Sequence, residues 1–599
     1  MNDRHWRRYI CRVASGVFVL ACFLATGCGR DSDDVTPASV TLVGAATANG
    51  CEEITLDLDV SFGAVVYWLV DGVAPIALDV TPHSVSFRAP PYPRDRDVTL
   101  RAVAVDADGG EASAEHTVTV AGEPALSSET LGTVPGCGRF QEGVASGDPG
   151  PNDVLIWTRV APNERTDTVP LTWFVASDVT RTNIIARGTV EVGPDTDHTA
   201  LVLVNDLQPY RAYTYWFETE DGERSRLGRT RTAPEGTVDS LRVASLSCSS
   251  IFSGFFNAYA DLALRDDIDL VMHLGDYFYD TVDPQERMRV SDPVPDAPSS
   301  PATWRERARL YLSDPDLREA RAAHPWMAVW DNHDADESPD EAAEGSVNVF
   351  REYIPMRGGD TPREAWRHLS YGELLDVYML DITVPRVRVA DGETPGIDAM
   401  FGPDQWRWLL AELPGSSASW RIVGNQKLLT TFNLGTATTF GDPTPWDDYA
   451  ASRSALLTLL GDHDDNVVVS GDLHFSIAND LVDSPVDPVY EVDSGRSVGV
   501  ELLATSVSRG NFDETICEGL CDSAGLRIID GILGALLPIN PHTAYFELIE
   551  HGYGVIEFTE ERATAELWYV PIREPDVRAQ LGVTLVTERG SNRWTRDAE

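Results

Sequence analysis

The feature that most constrains this chain is a short apolar run that ends in acidic and aromatic side chains, residues 269–280, DLVMHLGDYFYD. Its first half has the composition of a buried parallel strand, and Asp276 and Tyr279 follow directly. In open α/β sheets, ligands bind beyond the carboxyl ends of strands, where loops hold polar groups on a rigid base. We therefore predict a functional site at this strand end; a plain Gly-Asp turn is the alternative interpretation.

Three further strand-like runs end in the same way. Leu241–Leu246 is followed by Cys248, Trp326–Trp330 by Asn332 and His333, and Val467–Ser470 by Asp472 and His474. Because the strands of a parallel sheet end at one edge, we predict that these endings meet there. Between and beside them lie two more predicted strands and four predicted helices, Leu374–Leu380, Trp420–Gly424, Phe255–Leu264, Pro301–Ala323, Pro403–Leu413 and Tyr449–Leu460. This alternation indicates an α/β domain.

The side chains at these strand endings are metal ligands of two kinds. The thiolate of Cys248 and the phenolate of Tyr279 favour a trivalent, iron-like ion. Carboxylate and amide oxygens suit a harder second ion such as calcium or manganese. Asp276 stands between the two groups, so we predict that it bridges both ions. The alternative for Cys248 is a small buried core residue.

The motifs at these endings, taken together, resemble a known family. They are Ser247-Cys248, HLGDYFY at 273–279, WDNHD at 330–334 and GDLH at 471–474, with GVASGDP at 143–149 and a closing His551-Gly-Tyr553. The series is similar to the PhoD family of alkaline phosphatases and phosphodiesterases, from about residue 138 to about residue 570. Its Gly-Asp-x-x-Tyr pattern is also similar to the wider purple acid phosphatase and calcineurin-like metallophosphatases.

The resemblance implies a metal centre and a mechanism. The metal ligands of the family fall on Cys248, Asp276, Tyr279, Asn332, Asp472 and His474. The implied cofactors are Fe³⁺ and Ca²⁺, with a different divalent second metal as the alternative. A metal-activated hydroxide would attack phosphorus, and His333 would be the catalytic acid that protonates the leaving group. Arg305 and Arg307 align with arginines of the family and are candidates for holding phosphate, with structural roles as the alternative.

The charge of the chain limits its partners. It has 47 basic and 95 acidic residues, a formal charge of -48, and its one lysine is Lys427. Such a surface repels nucleic acid, and it also repels phosphate unless cations reverse the field locally. We therefore predict that the partners are small-molecule or polymer phosphate esters and not nucleic acid. The sequence does not set the oligomeric state.

The predicted function is that of an exported, metal-dependent phosphoric ester hydrolase, a phosphatase or phosphodiesterase like alkaline phosphatase D. A phospholipase-like or wall-polymer phosphodiesterase of the same fold is one alternative. The other is a non-catalytic, calcium-stabilised surface adhesion protein. The presence of every ligand type together with His333 argues against that second alternative.

We predict a multidomain chain with two N-terminal β-sandwiches ahead of the α/β domain. Apolar residues alternate with polar ones at Ile54, Leu56 and Leu58, which indicates an Ig-like sandwich over residues 38–122. Tyr213 stands in a segment that resembles a tyrosine corner, which indicates a fibronectin-like sandwich over 134–235. The resemblance identifies that segment as the PhoD N-terminal domain. A layered α/β/β/α metallophosphatase domain follows over 238–575, and 576–599 is predicted to be a C-terminal tail.

Residues 1–28 are predicted to be a lipoprotein signal peptide. Four arginines precede the apolar stretch Val13–Leu24, and LATGC at 24–28 resembles a bacterial lipobox. Residues 29–37 would be a linker. We expect export and a lipid anchor on Cys28 in the bacterial outer membrane, with the protein facing the periplasm or the cell surface; ordinary secretion is the alternative. In an exported chain, Cys517–Cys521 and Cys51–Cys137 are candidate disulfides.

Overall fold

A computed structural model of the 599-residue chain describes most of its residues. The described ranges are 39–49, 52–60, 65–70, 76–78, 84–88, 96–105, 111–121, 138–164, 166–177, 183–289, 296–335, 341–359, 361–389, 393–433, 445–483, 496–517, 521–575 and 577–596. The predicted signal peptide and linker lie outside them, as do Cys51 and Cys137. Within the described ranges, no helix has the length and apolar character needed to cross a membrane.

The first β region forms two sheets from eight strands. They are β1 Val40–Gly44, β2 Thr47–Asn49, β3 Glu53–Val60, β4 Val65–Val70, β5 Ile76–Leu78, β6 Ser84–Arg88, β7 Arg96–Val105 and β8 Glu111–Ala121. Their orders are β1-β3-β6 and β2-β8-β7-β4-β5. The alternation predicted for β3 is confirmed, because Ile54, Leu56 and Leu58 are buried. They share a core with Leu100 of β7, so the two sheets have a common apolar interior.

The second β region divides its strands between two sheets. They are β9 Val144–Gly147, β10 Val154–Arg159, β11 Val169–Ala176, β12 Ile184–Val192, β13 Thr199–Val204, β14 Ala212–Thr219 and β15 Gly228–Arg231. A four-stranded antiparallel sheet has the order β12-β11-β14-β15. The other three strands join a larger sheet described below. The backbone N–H of Gln208 donates to the hydroxyl of Tyr213 at 2.9 Å, which is the contact expected of a tyrosine corner.

The remaining strands complete two large sheets. They are β16 Leu241–Leu246, β17 Leu270–Leu274, β18 Pro325–Val329, β19 Arg367–Tyr371, β20 Leu375–Met379, β21 Trp420–Gly424, β22 Asn466–Ser470, β23 Ser476–Asp480, β24 Val500–Leu503, β25 Thr543–Glu547, β26 Gly552–Phe558, β27 Arg562–Tyr569, β28 Gln580–Glu588 and β29 Thr595–Arg596. The ten-stranded sheet has the order β13-β10-β9-β18-β17-β16-β26-β27-β28-β29, and β9, β18, β17 and β16 are parallel. The segment 576–599, predicted to be a tail, thus contributes two strands.

The seven-stranded sheet has the order β19-β20-β21-β22-β24-β23-β25. It contains β22, whereas β16, β17 and β18 belong to the ten-stranded sheet. The prediction that all four strands share one sheet edge is therefore wrong, because a short apolar run specifies a strand without specifying its neighbour. Met272 and Leu274 of β17 lie in one hydrophobic core with Ile422 of β21 and Val467 of β22. This shared core holds the two sheets against each other.

The described helices flank these sheets. They are α1 Asn257–Ala263, α2 Pro301–Leu312, α3 Pro315–Ala323, α4 Glu341–Tyr353, α5 Gly402–Glu412, α6 Pro445–Asp448, α7 Ala450–Leu460, α8 Phe512–Cys517 and α9 Ser523–Leu536. Short 3-10 turns occur at Pro194–Thr196, Pro284–Glu286, Leu413–Gly415 and Leu537–Ile539. The single helix predicted over Pro301–Ala323 is two helices. The Asp314 carboxylate accepts from the backbone N–H groups of Asp316 and Leu317, so it caps a new helix that begins at Pro315.

Candidate metal centre

Four of the predicted site residues converge where the two large sheets meet. Sγ of Cys248 lies 3.7 Å from Oδ2 of Asp276, and the hydroxyl of Tyr279 lies 2.9 Å from the same oxygen. The Tyr279 hydroxyl is also 3.3 Å from Nε2 of His474. Ligand atoms of Cys248, Asp276 and His474 all lie within 4.8 Å of one another. Residues that follow β16, β17 and β22 are therefore close enough to share one cation.

The backbone at three of the predicted ligands is left-handed. The φ angles are 59° at Cys248, 54° at Asp276 and 69° at Asp472. Residues with a Cβ atom adopt this region only at a cost, and such positions concentrate at functional sites. Gly275, with φ 99°, also has no room for a side chain, because a Cβ atom there would lie 2.4 Å from Cβ of Asp331. The turn after β17 therefore lies so close to the loop that carries Asp331 that only glycine fits at position 275.

The protonation of three of the four converging groups, Cys248, Tyr279 and Asp276, depends on a positive charge nearby. Burial, together with the carboxylate of Asp276, raises the pKa of the Cys248 thiol and of the Tyr279 hydroxyl. Both groups therefore keep their protons unless a cation stabilises their anions. Burial acts to raise the pKa of Asp276 as well, but His333 and Lys427 outweigh it and hold that pKa below its ordinary value. The donor set fits a cation that binds thiolate and phenolate.

The ring of His474 is oriented as expected for a metal ligand. Its Nδ1 lies 2.9 Å from the carbonyl oxygen of Gly510. A carbonyl can only accept, so Nδ1 carries the proton and Nε2 presents a lone pair beside Tyr279. Burial lowers the pKa of His474, which favours this neutral ring. Backbone contacts of this kind commonly fix the tautomer of metal-binding histidines.

His333 borders the converging group and contacts it through two atoms. Its backbone N–H donates to Oδ1 of Asp276 at 3.3 Å, and its Nδ1 lies 2.6 Å from Oδ1 of Asp280. Its ring centroid is 4.2 Å from that of Tyr279. Burial acts to lower the pKa of His333, but the carboxylates of Asp276 and Asp280 outweigh it and raise the pKa to about 9. The side chain is 25% exposed, so the ring borders solvent.

The other two predicted ligands, Asn332 and Asp472, lie around a lysine. Nζ of Lys427 is 2.6 Å from Oδ1 of Asn332 and 2.7 Å from Oδ2 of Asp331, and it also contacts Oδ1 of Asp472. Oxygens of Asp276, Asp331 and Asp472 lie within 4.8 Å of one another. Burial acts to lower the pKa of Lys427, but Asp331 and Asp472 outweigh it and raise that pKa. The lysine is therefore an ammonium ion among acidic groups.

The loops that carry these residues are tied together by Asp334. Its Oδ1 accepts a hydrogen bond from the backbone N–H of Phe278 at 2.6 Å. Its Oδ2 accepts from the backbone N–H groups of Tyr277 and Asp331, each at 3.1 Å. One buried carboxylate thus fixes the turn after β17 against the turn after β18. This places His333 beside Asp276.

Comparison with known proteins agrees with the motifs. Residues 243–567 match the PhoD-like phosphatase family, and residues 126–234 match the N-terminal domain of PhoD-like phosphatases. The first of these matches alone spans more than half of the chain. The chain belongs to the PhoD-like phosphatase family. The predicted membership of the PhoD family is confirmed.

Individual relatives of this PhoD-like phosphatase agree with the family assignment. Alkaline phosphatase D of Bacillus subtilis (strain 168) is 32% identical over 413 residues, which cover 62% of this chain and 70% of that protein. A solved structure of PhoD matches with a TM-score of 0.66 and 26% identity over 77% of this chain and 92% of that chain. Fibronectin(III)-like modules of Clostridium thermocellum CbhA match with a TM-score of only 0.12, too low to bear on the fold. The chain is a phosphoric ester hydrolase.

The two candidate phosphate-binding arginines of the PhoD-like phosphatase are engaged by protein groups. Arg307 is buried, and its guanidinium donates to the backbone carbonyls of Tyr279 and Asp296. Arg305 forms a two-point ion pair with Glu352 at 2.7 Å and 2.6 Å. These contacts favour the structural alternative for both. The predicted disulfide between Cys517 and Cys521 is confirmed.

Sequence reasoning missed three residues of the site. Asp331 and Asp280 stand inside the motifs that predict their neighbours as site residues. Lys427 belongs to no motif that was recognised, although it is the only lysine in 599 residues and follows strand β21 closely. That rarity was the one available signal.

Proposed function

We propose that this PhoD-like phosphatase is an exported, metal-dependent phosphatase or phosphodiesterase. The observation that carries the proposal is the convergence of a thiol, a carboxylate, a phenol and an imidazole from Cys248, Asp276, Tyr279 and His474. These groups of four different chemistries, three of them buried and the His474 imidazole half-buried, have a common partner in a cation that accepts all of them as ligands. Phosphate ester hydrolysis requires local positive charge, because the substrate is anionic and the chain carries a charge of -48.

These four residues would hold a ferric ion, because thiolate and phenolate suit a trivalent cation. When bound, the ion would supply Lewis-acid chemistry, lowering the pKa of water to about 7 and withdrawing charge from phosphoryl oxygens. Asp276 orders the surrounding side chains, since Oδ2 accepts from Tyr279 and Oδ1 accepts from the backbone of His333. The calcium ion that the resemblance implies would need Asn332 and Asp472, and both of these contact Lys427.

His333 is proposed to protonate the alkoxide that leaves phosphorus. The contact between Nδ1 and Asp280 at 2.6 Å fixes the ring and leaves Nε2 as the atom that can meet a substrate. Asp280 is therefore a positioning residue, because it acts through His333. A histidine paired with a carboxylate keeps its proton at neutral pH, as a general acid must.

The substrate class follows from the site and the charge. Monoesters and diesters of phosphate, either small molecules or polymers, are the proposed substrates, and the acidic surface disfavours nucleic acid. A phospholipid headgroup or a wall polymer is the alternative diester. An adhesion protein without catalysis would have no use for a buried thiol next to a phenol and an imidazole.

We also propose how the catalytic region is presented. Residues 1–28 would be a lipoprotein signal peptide that leaves a lipid on Cys28 and anchors the chain to the bacterial outer membrane through the linker at 29–37. The two sheets around Leu56 and Leu100 are consistent with an Ig-like sandwich. The contact of Tyr213 supports a fibronectin-like second region, and the shared core of the two large sheets supports a layered α/β/β/α arrangement.

Turnover of a nitrophenyl phosphate monoester and of a bis-nitrophenyl diester tests the proposal. We expect the full-length enzyme to hydrolyse at least one of them, and to lose activity with a chelator and in Asp276→Asn. The ratio of the two rates separates a monoesterase from a diesterase. Wild-type rates in Asp276→Asn would refute the catalytic assignment. Loss of lipid labelling in Cys28→Ser would test the anchor.

A further inference from the structure

The only lysine of the chain lies in the centre of the site. The side chain of Lys427 is 6% exposed, and its Nζ is surrounded by oxygens of Asp331, Asn332 and Asp472. An ammonium group has three N–H donors and no acceptor. Three neighbouring oxygens therefore match its full capacity for hydrogen bonds. A chain that uses arginine at all its other basic positions has a compact, point-like cation at this one.

The same oxygens are those that a second metal ion would need. Carboxylate and amide oxygens are ligands for calcium or magnesium, and two of the three residues, Asn332 and Asp472, are the predicted ligands of a calcium ion. A divalent ion bound to them would have to displace the ammonium. Without that displacement both cations would lie in one buried space, where like charges repel strongly.

The lysine is held in place by its neighbours in the chain. Nε2 of Gln426 donates to the carbonyl of Trp330 at 3.1 Å, and Oε1 of Gln426 accepts from the backbone N–H of Ile382 at 3.3 Å. Nδ2 of Asn425 donates to the hydroxyl of Ser470 at 3.2 Å. The turn after β21 is thus fixed to residues at the ends of β18 and β22, which holds the backbone of Lys427 beside Asp331, Asn332 and Asp472.

We propose that the ammonium of Lys427 takes the place of a second metal ion. The centre would then hold a single metal ion, bound by Cys248, Asp276, Tyr279 and His474. This inference rests on the proposed metal-dependent function. The lysine would neutralise Asp331 and Asp472 and present a fixed positive charge beside the metal, without exchange with solvent ions. The chain would then be independent of calcium for its assembly.

The test is a count of metal atoms per chain. Full-length protein is equilibrated with excess Fe³⁺ and Ca²⁺, then freed of loosely bound ions, and analysed by elemental mass spectrometry and native mass spectrometry. We expect one metal atom per wild-type chain and no calcium. Two metal atoms in the wild type would overturn this inference and leave the proposed function intact. A chain with no metal would overturn the proposed function and this inference with it.

Three variants test whether Lys427 is what excludes a second metal ion. Lys427→Met removes the charge at similar size and should raise the number of metal atoms from one to two, with calcium increasing its melting temperature. Lys427→Arg keeps a cation at this position and should still bind one metal atom per chain. Arg407→Met removes a positive charge at an exposed position and serves as the matched control, also at one. One metal atom per chain in folded Lys427→Met would overturn the inference. If that variant does not fold, the number of metal atoms in the wild type decides alone.

Discussion

The hydroxyl of Tyr279 donates to Oδ2 of Asp276 at 2.9 Å and lies 3.3 Å from Nε2 of His474. This phenol therefore connects a side chain that follows a strand of the ten-stranded sheet with one that follows a strand of the seven-stranded sheet. A phenolate in this position would bind the same ion as both of them. The site consequently depends on how the two sheets meet.

Tyr279→Phe should remove the phenolate charge-transfer band from the visible spectrum of the iron-loaded protein, leaving the absorption that the Cys248 thiolate contributes. Phenolate bound to ferric iron is the expected source of a charge-transfer band, and Phe has no oxygen to bind. Hydrolysis should fall about 10-fold or more, because one ligand is lost while three remain. Iron content measured on the same sample distinguishes a lost ligand from a lost ion. Tyr277→Phe, two residues earlier and packed against His273, is the control and should keep its colour.

His333→Asn should slow esters with poor leaving groups far more than nitrophenyl esters. A general acid contributes roughly 10²–10⁴-fold, and an activated phenol needs little protonation. The measurement is kcat for an alkyl phosphate and for a nitrophenyl phosphate. Asp280→Asn should also slow the alkyl phosphate more than the nitrophenyl phosphate, but with a smaller loss of kcat, since Asp280 acts through His333. Equal losses for both substrates in His333→Asn would contradict an acid role.

Gly275→Ala should destabilise the protein more than an ordinary glycine replacement. The new Cβ atom would lie 2.4 Å from Cβ of Asp331, in addition to the cost of φ 99°. Gly222→Ala is a matched control, because Gly222 has φ 87° and no atom within 4 Å of the added Cβ. We expect about 1 kcal/mol of loss in the control and several kcal/mol at Gly275, measured by urea unfolding. Equal losses would mean that the turn relaxes.

His324 should make the folded state less stable as the pH falls. Burial lowers the pKa of His324 to about 3, whereas the ring in the unfolded chain titrates near pH 6.5. Between these values the unfolded chain binds a proton that the folded chain does not, so the unfolding free energy falls with pH below about 6.5. At higher pH the residue has no effect on the pH dependence.

The His324→Gln variant tests that pH dependence. Glutamine keeps a donor for the carbonyl of Leu262, which lies 3.0 Å from Nε2 of His324, but it does not titrate. Relative to the variant, the wild type should lose about 2 kcal/mol more of unfolding free energy between about pH 7 and about pH 5. Parallel pH profiles would show that the ring is protonated in the folded state.

The strands and most helices could be predicted from the sequence because their signals are local. The predicted bounds of Leu241–Leu246 and Trp420–Gly424 agree with the structure, since each is a short and mostly apolar run. The break between α2 and α3 was missed because a good cap at Asp314 overrides a helical pattern. The candidate ligands could be named because the motifs keep fixed short spacings after strands.

What the sequence by itself determined is the set of side chains at the strand ends and the family to which they belong. The tertiary structure decided that β22 lies in a different sheet from β16, β17 and β18, and that Cys248 and His474 still reach one point. It also decided that Lys427 lies among Asp331, Asn332 and Asp472. Strand pairing and packing between sheets join residues far apart in the chain, and no local pattern of residues encodes such contacts.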